Sequence, residues 1–89
     1  MNPYRQILEH WGLDKQINQV SEECAELVIA LNKYRRAPDG KKPDKLTIAE
    51  EIADVHIMLE QMKEAFKCDF LVETIIEHKL ERTLKRMSQ

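Results

Sequence analysis

Helix-breaking residues are scarce in this chain, and their positions decide most of what it can fold into. The 89 residues contain two Gly and three Pro, and three of these five lie in one stretch, residues 36 to 46. Strict alternation of apolar and polar residues, which is typical of a half-buried strand, is absent. Long segments without breakers favour helices. The sequence therefore predicts an all-α fold with one long connection near its middle.

The first half of the chain predicts two helices. Residues 3 to 11 have the pattern of a short opening helix, since Pro3 suits a first helical turn and Gly12 suits a helix end. A second helix is expected from about Lys15 to Arg35, with Asp14 as its N-terminal cap. Both helices precede the breaker-rich stretch, which we expect to be a loop.

The second half predicts two further helices. Thr47-Ile48-Ala49-Glu50 has the pattern of a capping box and indicates where the third helix begins. Asp69 is a candidate cap for a fourth helix, from Phe70 to about Met87. Four helices in the order short, long, long, long indicate a small four-helix bundle-like domain, and we expect one domain over residues 1 to 89.

Apolar residues of the long helices fall into stripes that we expect to form the core. The stripe of the second helix consists of Ile17, Val20, Cys24, Leu27, Val28 and Leu31. The stripe of the third helix consists of Ile48, Ile52, Val55, Leu59, Met62 and Phe66. Ala53 and Ile57 form a separate apolar stripe on the third helix and predict contact with another subunit. We therefore expect a homodimer or homotetramer.

Composition narrows the possible partners and the compartment. A formal net charge of −2 and a pI near 5.9 give no general attraction for a nucleic-acid backbone. No membrane-spanning segment or signal peptide is visible. We therefore expect a cytoplasmic location and no membrane partner. Cys24 and Cys68 form no metal-binding motif, and Cys24 is expected to be a buried free thiol.

The second and third helices each carry two carboxylates on the flank of the apolar stripe. Glu23 and Glu26 are three residues apart, as are Glu51 and Asp54, so the oxygens within each pair can converge on one point. Four carboxylates near a core boundary repel one another unless a cation lies between them. The spacing therefore predicts a divalent-cation site. Glu22 falls on the side of the second helix opposite the stripe.

The order Glu-Glu-x-x-Glu at residues 22 to 26, a spacer, and Glu-x-x-Asp at residues 51 to 54 resembles the MazG-like all-α nucleoside triphosphate pyrophosphohydrolases. The resemblance extends from about Tyr4 to Met87. It implies hydrolysis of a nucleoside triphosphate to the monophosphate and pyrophosphate, in nucleotide-pool control or housekeeping. It implies Mg²⁺, with Mn²⁺ as a possible substitute, on Glu23, Glu26, Glu51 and Asp54.

Further residues take roles from the same resemblance or from their positions in the chain. Lys79 and Arg82 share one face of the fourth helix and resemble the family's phosphate-binding basic pair. Glu22 belongs to the family motif but points away from the other four carboxylates. It is expected to support the site from behind the ligands, to reach a neighbouring subunit or to lie in solvent. Gln19, one turn before Glu23, is a candidate nucleotide contact. Trp11 is a candidate for stacking on a base, with packing in the core as the alternative role.

Two other functions compete with this interpretation. A di-iron carboxylate bundle would need Glu-x-x-His on two helices, and no His stands three residues after any of the four carboxylates. A non-catalytic helical interaction or regulatory module would use the Ala53 and Ile57 stripe as its binding surface and would bind no divalent cation.

Overall fold

The computed structural model describes residues 2 to 89 and shows four α-helices. They are α1 (Pro3–Trp11), α2 (Leu13–Arg36), α3 (Lys45–Phe66) and α4 (Asp69–Met87). The predicted all-α fold and its order of short, long, long and long helices are confirmed, and no strand occurs between residues 2 and 89. None of the helices in this range combines the length and the apolar character needed to cross a membrane.

Gly12 joins α1 directly to α2 without a loop. Its φ of 90° is a conformation that favours glycine, and its N–H donates to the Leu8 carbonyl at 2.8 Å, which ends α1. Because the same residue is the N-cap of α2, the predicted cap at Asp14 is wrong. Asp14 instead lies in the first turn of α2, where a negative charge favours the helix dipole.

The starts of α3 and α4 also differ from the sequence prediction. The Asp44 side chain accepts a hydrogen bond from the Leu46 N–H at 3.1 Å, so α3 begins at Lys45 and Thr47 lies inside the helix. The capping box was therefore placed too late, because an Asp cap was available three residues earlier. Asp69 is the first residue of α4 rather than its cap, which is Cys68.

The connection between α2 and α3 folds back on the end of α2. Lys42 Nζ donates to the Tyr34 carbonyl at 2.8 Å and stands 4.9 Å from the centroid of the Tyr34 ring. The Lys41 N–H donates to the Pro38 carbonyl at 3.0 Å and closes a turn around Gly40. The predicted loop is thus confirmed, and one lysine attaches it to α2.

Helices α2 and α3 pack against each other, and the stripes predicted as the core lie only partly between them. Only Gln16, Met58 and Gln61 are buried among the described residues, whereas Val28 is 57% exposed and Ile52 is 53% exposed. Cys24, predicted to be buried, is exposed. The facing sides of α2 and α3 carry the polar flank residues together with half-buried members of the stripes, Val20, Leu27 and Val55, so the centre of each stripe was misassigned.

The two apolar stripes border a common groove on the outside of the helix pair. It has a volume of about 400 Å³ and is lined by Leu31, Tyr34, Lys45, Ile48, Ala49 and Ile52. The stripe residues that line it therefore cover no core within one chain. Apolar surface shared by two helices in this way is typical of a subunit contact.

The two outer helices are held by charged side chains. Arg5 of α1 donates from two nitrogens to Glu64 Oε2, at 3.0 and 3.2 Å, and Asn2 also bonds to Glu64. Lys63 of α3 pairs with Asp69 at 3.1 Å and with Glu73 at 3.5 Å, both in the first turns of α4. Beyond those turns α4 extends from the body and contacts no other helix than α3.

Candidate metal centre

Three of the predicted ligands come together where α2 and α3 face each other. Glu23 lies in the middle of α2, and Glu51 and Asp54 lie in consecutive turns of α3. One carboxylate oxygen of each residue lies within 4.8 Å of the corresponding oxygens of the other two. We call this group the carboxylate cluster. Its members belong to two separate helices, so the packing of α2 on α3 determines their arrangement.

Two oxygens of the cluster are buried and have no partner. Neither Glu23 Oε2 nor Glu51 Oε2 accepts a hydrogen bond from any described residue. A buried carboxylate oxygen without a donor carries an uncompensated desolvation cost, and such atoms are rare in folded proteins. A single cation between these two oxygens would satisfy both of them. The surroundings of the cluster therefore lack a positive charge.

Gln19 orients one member of the cluster from the same helix. Its Nε2 donates to Glu23 Oε1 at 2.8 Å, one turn along α2. The hydrogen bond occupies one oxygen of Glu23 and leaves the other, the buried Oε2, for the cluster. The sequence placed Gln19 in contact with a nucleotide. The structure places it in contact with Glu23, and the nucleotide contact stays a prediction.

The pKa of Glu23 is raised above its ordinary value of 4.5. The largest cause is burial, which disfavours the charged carboxylate. The Gln19 hydrogen bond opposes the shift, whereas the charges of Glu26 and Asp54 reinforce it. No basic side chain contributes to this balance. A divalent cation would reverse it, because the ion favours the deprotonated form.

Glu26 and Glu22 lie outside the cluster. Glu26 is exposed and raises the pKa of Glu23 through its charge, but it contributes no oxygen to the group of three. Glu22 is exposed, and neither a hydrogen bond nor an ion pair involves its side chain in the part of the chain that is described. Thus three of the four predicted ligands converge, and the fourth lies beside them at the exposed edge.

The donor set of the cluster fits a hard divalent cation. It consists of carboxylate oxygens alone, which suit Mg²⁺, Mn²⁺ or Ca²⁺, whereas Zn²⁺ sites are built mainly from His and Cys. Mg²⁺ in proteins keeps several waters and uses few carboxylates, with phosphates completing its shell. Three carboxylates with two unpartnered oxygens and an open, exposed side at Asp54 match that requirement.

The predicted phosphate-binding residues lie elsewhere in the chain. Lys79 and Arg82 line a shallow depression of about 300 Å³ on α4, together with Ile75 and His78. Among the described residues neither of the two basic side chains forms an ion pair. Helix α4 contacts α3 but not α2, and neither basic side chain forms an ion pair with the carboxylate cluster of the same chain.

Trp11 is neither packed in the core nor placed at the carboxylate cluster by any contact. The residue is 52% exposed at the end of α1, with Lys15 Nζ 4.1 Å above its ring and His10 edge-on at 4.6 Å. The alternative of core packing is therefore wrong. Stacking of Trp11 on a base stays a prediction.

The sequence prediction did not include the two residues at the centre of the contact between α2 and α3. Gln16 and Gln61 are the most buried polar side chains, and Gln16 Nε2 donates to Gln61 Oε1 at 2.7 Å. Their positions on the same flanks as the carboxylates were the signal. Hydrophobicity alone favours the apolar stripes as the buried side of each helix, so the polar flanks do not stand out as a helix contact.

Comparison with known proteins adds no relative to this description. No protein-family model, curated protein or solved structure matches the chain.

Proposed function

We propose that this protein is a MazG-like nucleoside triphosphate pyrophosphohydrolase. It would hydrolyse a nucleoside triphosphate to the monophosphate and pyrophosphate with the help of Mg²⁺, or Mn²⁺ in its place. The observation that carries the proposal is the pair of buried, unpartnered oxygens of Glu23 and Glu51 within the carboxylate cluster. The order of the acidic motifs along the chain supplies the reaction class.

Each residue of the centre has a definite task in this proposal. Glu23, Glu51 and Asp54 hold the cation, Gln19 keeps Glu23 oriented, and Glu26 at the exposed edge is the fourth ligand. The bound cation would neutralise charge on the phosphate oxygens and lower the pKa of a water. The carboxylates otherwise act through position, because phosphoryl chemistry depends mainly on orientation and electrostatics. Glu22 is assigned no contact with the ion.

Lys79 and Arg82 are proposed to bind the phosphates of a substrate in a neighbouring subunit. An ammonium group and a guanidinium group on one helical face suit a polyphosphate. They carry no ion pair of their own, and α4 extends away from the carboxylates of its own chain. The exposed apolar residues of α4 and of the outer groove support association into a homodimer or homotetramer.

The test is pyrophosphate release from a panel of ribo- and deoxynucleoside triphosphates, measured with Mg²⁺ and with EDTA. Wild type is compared with Glu51→Gln and with Glu50→Gln, whose carboxylate is exposed on the same helix outside the cluster. We expect release that needs Mg²⁺, disappears in Glu51→Gln and persists in Glu50→Gln. Equal activity of the two variants, or activity in EDTA, would remove the carboxylate cluster from the mechanism.

A non-catalytic interaction module is the second candidate. Its support is the exposed apolar surface, including Ile57 of the Ala53 and Ile57 stripe and the outer groove. This candidate predicts neither cleavage nor cation binding. A chain that cleaves no nucleotide of the panel and gives no calorimetric signal with Mg²⁺ would favour it.

A further inference from the structure

The centre of the α2 and α3 interface contains a polar contact where an apolar one would be expected. Gln61 is 1% exposed and Gln16 is 5% exposed, and their side-chain amides are hydrogen-bonded at 2.7 Å. The Gln61 amide nitrogen also lies 3.6 Å from the sulfur of Met58, the third buried residue. Two amides thus occupy the most enclosed position in the described chain.

This amide pair and the carboxylate cluster share one alignment of the two helices. Moving from Gln16 about two turns up α2 leads to Glu23, and moving from Gln61 by the same number of residues down α3 leads to Asp54. About one further turn along each helix, Glu26 of α2 lies at the level of Glu51 of α3. The alignment that joins the amides is therefore the one that assembles the carboxylates.

A slip of about one turn, or four residues, would dismantle the cluster. It would bring Val20 against Gln61 and Leu27 against Asp54, so the amide would lose its partner and the aspartate would face a leucine. The exposed stripe residues Val28, Leu31 and Ile52 give little resistance to such a slip, because they are not enclosed between the helices. A buried amide without its partner does resist it.

We propose that the Gln16–Gln61 hydrogen bond fixes the register of α2 on α3 and thereby positions Glu23 opposite Asp54. The two glutamines are positioning residues and touch neither cation nor substrate. Buried polar pairs of this kind select one alignment among several while adding little stability over an apolar pair of equal size. The effect on cation binding rests on the proposed function, whereas the effect on register does not.

The test replaces both amides by an apolar side chain of the same length, in Gln16→Met/Gln61→Met. Met62→Leu serves as the control, since Met62 is a half-buried residue of the same helix and forms no hydrogen bond with either amide. Each full-length protein is measured for thermal stability and for its backbone amide NMR spectrum in EDTA. Mn²⁺ affinity is then measured by calorimetry.

We expect the double variant to be at least as stable as wild type and to bind Mn²⁺ at least tenfold more weakly. Its spectrum should show doubled or broadened signals along α2 and α3, and Met62→Leu should give one set of signals and wild-type affinity. A single set of signals in the double variant with wild-type affinity would overturn the proposal. A double variant that cannot fold would also overturn it, since the amides would then be needed for folding rather than for alignment.

The same data separate this inference from the proposed function. If wild type binds no Mn²⁺, the proposed metal centre fails, and the metal-free spectra alone decide the register. Extra signals in the double variant would then support the alignment role, and a single set would reject it.

Discussion

The pair of helices α2 and α3 and the helix α4 are built in opposite ways. The pair is closed around three buried residues, two of them polar, and it places unpartnered carboxylate oxygens inside. Helix α4 buries no residue and leaves Leu84 63% exposed. The same helix carries Lys79 and Arg82, which form no ion pair among the described residues. One region thus has negative charge that lacks a partner, and the other has positive charge and apolar surface that lack partners.

In the proposed function, this difference is the reason why one chain alone would not complete the site. A carboxylate cluster without a cation and a basic helix without an anion complement each other through a substrate that carries both a metal and phosphates. The attachment of α4 by Lys63, Asp69 and Glu73 fixes only its first turns. The rest of α4 is available to a second copy, and the variants below test that division of tasks.

The largest expected effect is the removal of one carboxylate. We expect Asp54→Asn to lower kcat/KM for Mg²⁺-dependent pyrophosphate release on the order of a thousandfold, because a preorganised charge at the reacting phosphate is lost. Steady-state pyrophosphate release measures it, with Glu50→Gln as the control expected to stay within about twofold. An Asp54→Asn enzyme with a tenth or more of wild-type activity would show that the cluster is not the reaction centre.

The next effect concerns the basic face of α4. Lys79→Ala/Arg82→Ala should reduce kcat/KM about a hundredfold, since two charge-assisted contacts to phosphate are lost. Lys85→Ala is the matched control, because Lys85 already pairs with Glu81 on the same helix. Both variants are compared on the preferred nucleotide of the panel.

An experiment with mixed subunits tests whether α4 acts at the site of its own chain or at that of the neighbouring chain. Glu51→Gln subunits carry an intact α4, and Lys79→Ala/Arg82→Ala subunits carry an intact cluster. Refolded together as dimers, they should regain about a quarter of wild-type activity if α4 acts on the neighbouring chain. No recovery in a confirmed mixed dimer would place Lys79 and Arg82 at the site of their own chain or outside any site.

A smaller effect is expected from the apolar side of α4. Leu80→Glu/Leu84→Glu should shift the protein to the mass of a single chain in light scattering and remove the dependence of Tm on concentration. Charges on exposed apolar positions leave the fold of one chain intact but prevent burial in an interface. Glu77→Gln, exposed on the same helix, should keep the wild-type mass. A wild-type protein already at single-chain mass would contradict the assembly.

The smallest effect is a pH dependence in EDTA. Because the pKa of Glu23 is raised above 4.5 in the folded chain, the native state holds this proton to higher pH than the unfolded state. Its contribution to stability is present at low pH and is lost as the pH rises from 4.5 through the folded-state pKa. We expect Tm in EDTA to fall across that range, less so in Glu23→Gln, and excess Mg²⁺ to reverse the trend in wild type.

The sequence predicted the helices better than their contacts. Breakers and caps indicated four helices in the right order, although Asp44 rather than Thr47 starts α3. Spacing of three residues correctly brought Glu51 and Asp54 onto one side of α3. The predicted inner face was only partly right, because Val20, Leu27 and Val55 are half-buried. The exposed stripe residues Val28, Leu31 and Ile52 form a surface that this proposal leaves for other subunits. Gln16 and Gln61, the actual centre, have the appearance of surface residues in a sequence.

The convergence of Glu23 with the α3 carboxylates was expected, but spacing within each helix could not place the two helices relative to each other. Periodicity places a residue on one helix, whereas the approach of two helices depends on their relative register. That register is set by the buried contact between Gln16 and Gln61, which has no signature in either helix alone. The placement of Lys79 and Arg82 relative to the cluster depends on assembly and so lies outside a single chain.

The most direct test of the account is a titration of the metal-free protein with Mn²⁺, followed by electron paramagnetic resonance and competed with Mg²⁺. We expect saturable binding of Mn²⁺ by wild type, which Mg²⁺ displaces. Glu23→Gln/Glu51→Gln should abolish this binding, whereas Glu22→Gln should bind Mn²⁺ as wild type does. Equal binding by wild type and by the Glu23→Gln/Glu51→Gln variant, or no saturable binding at all, would contradict the assignment of the two buried oxygens to a cation.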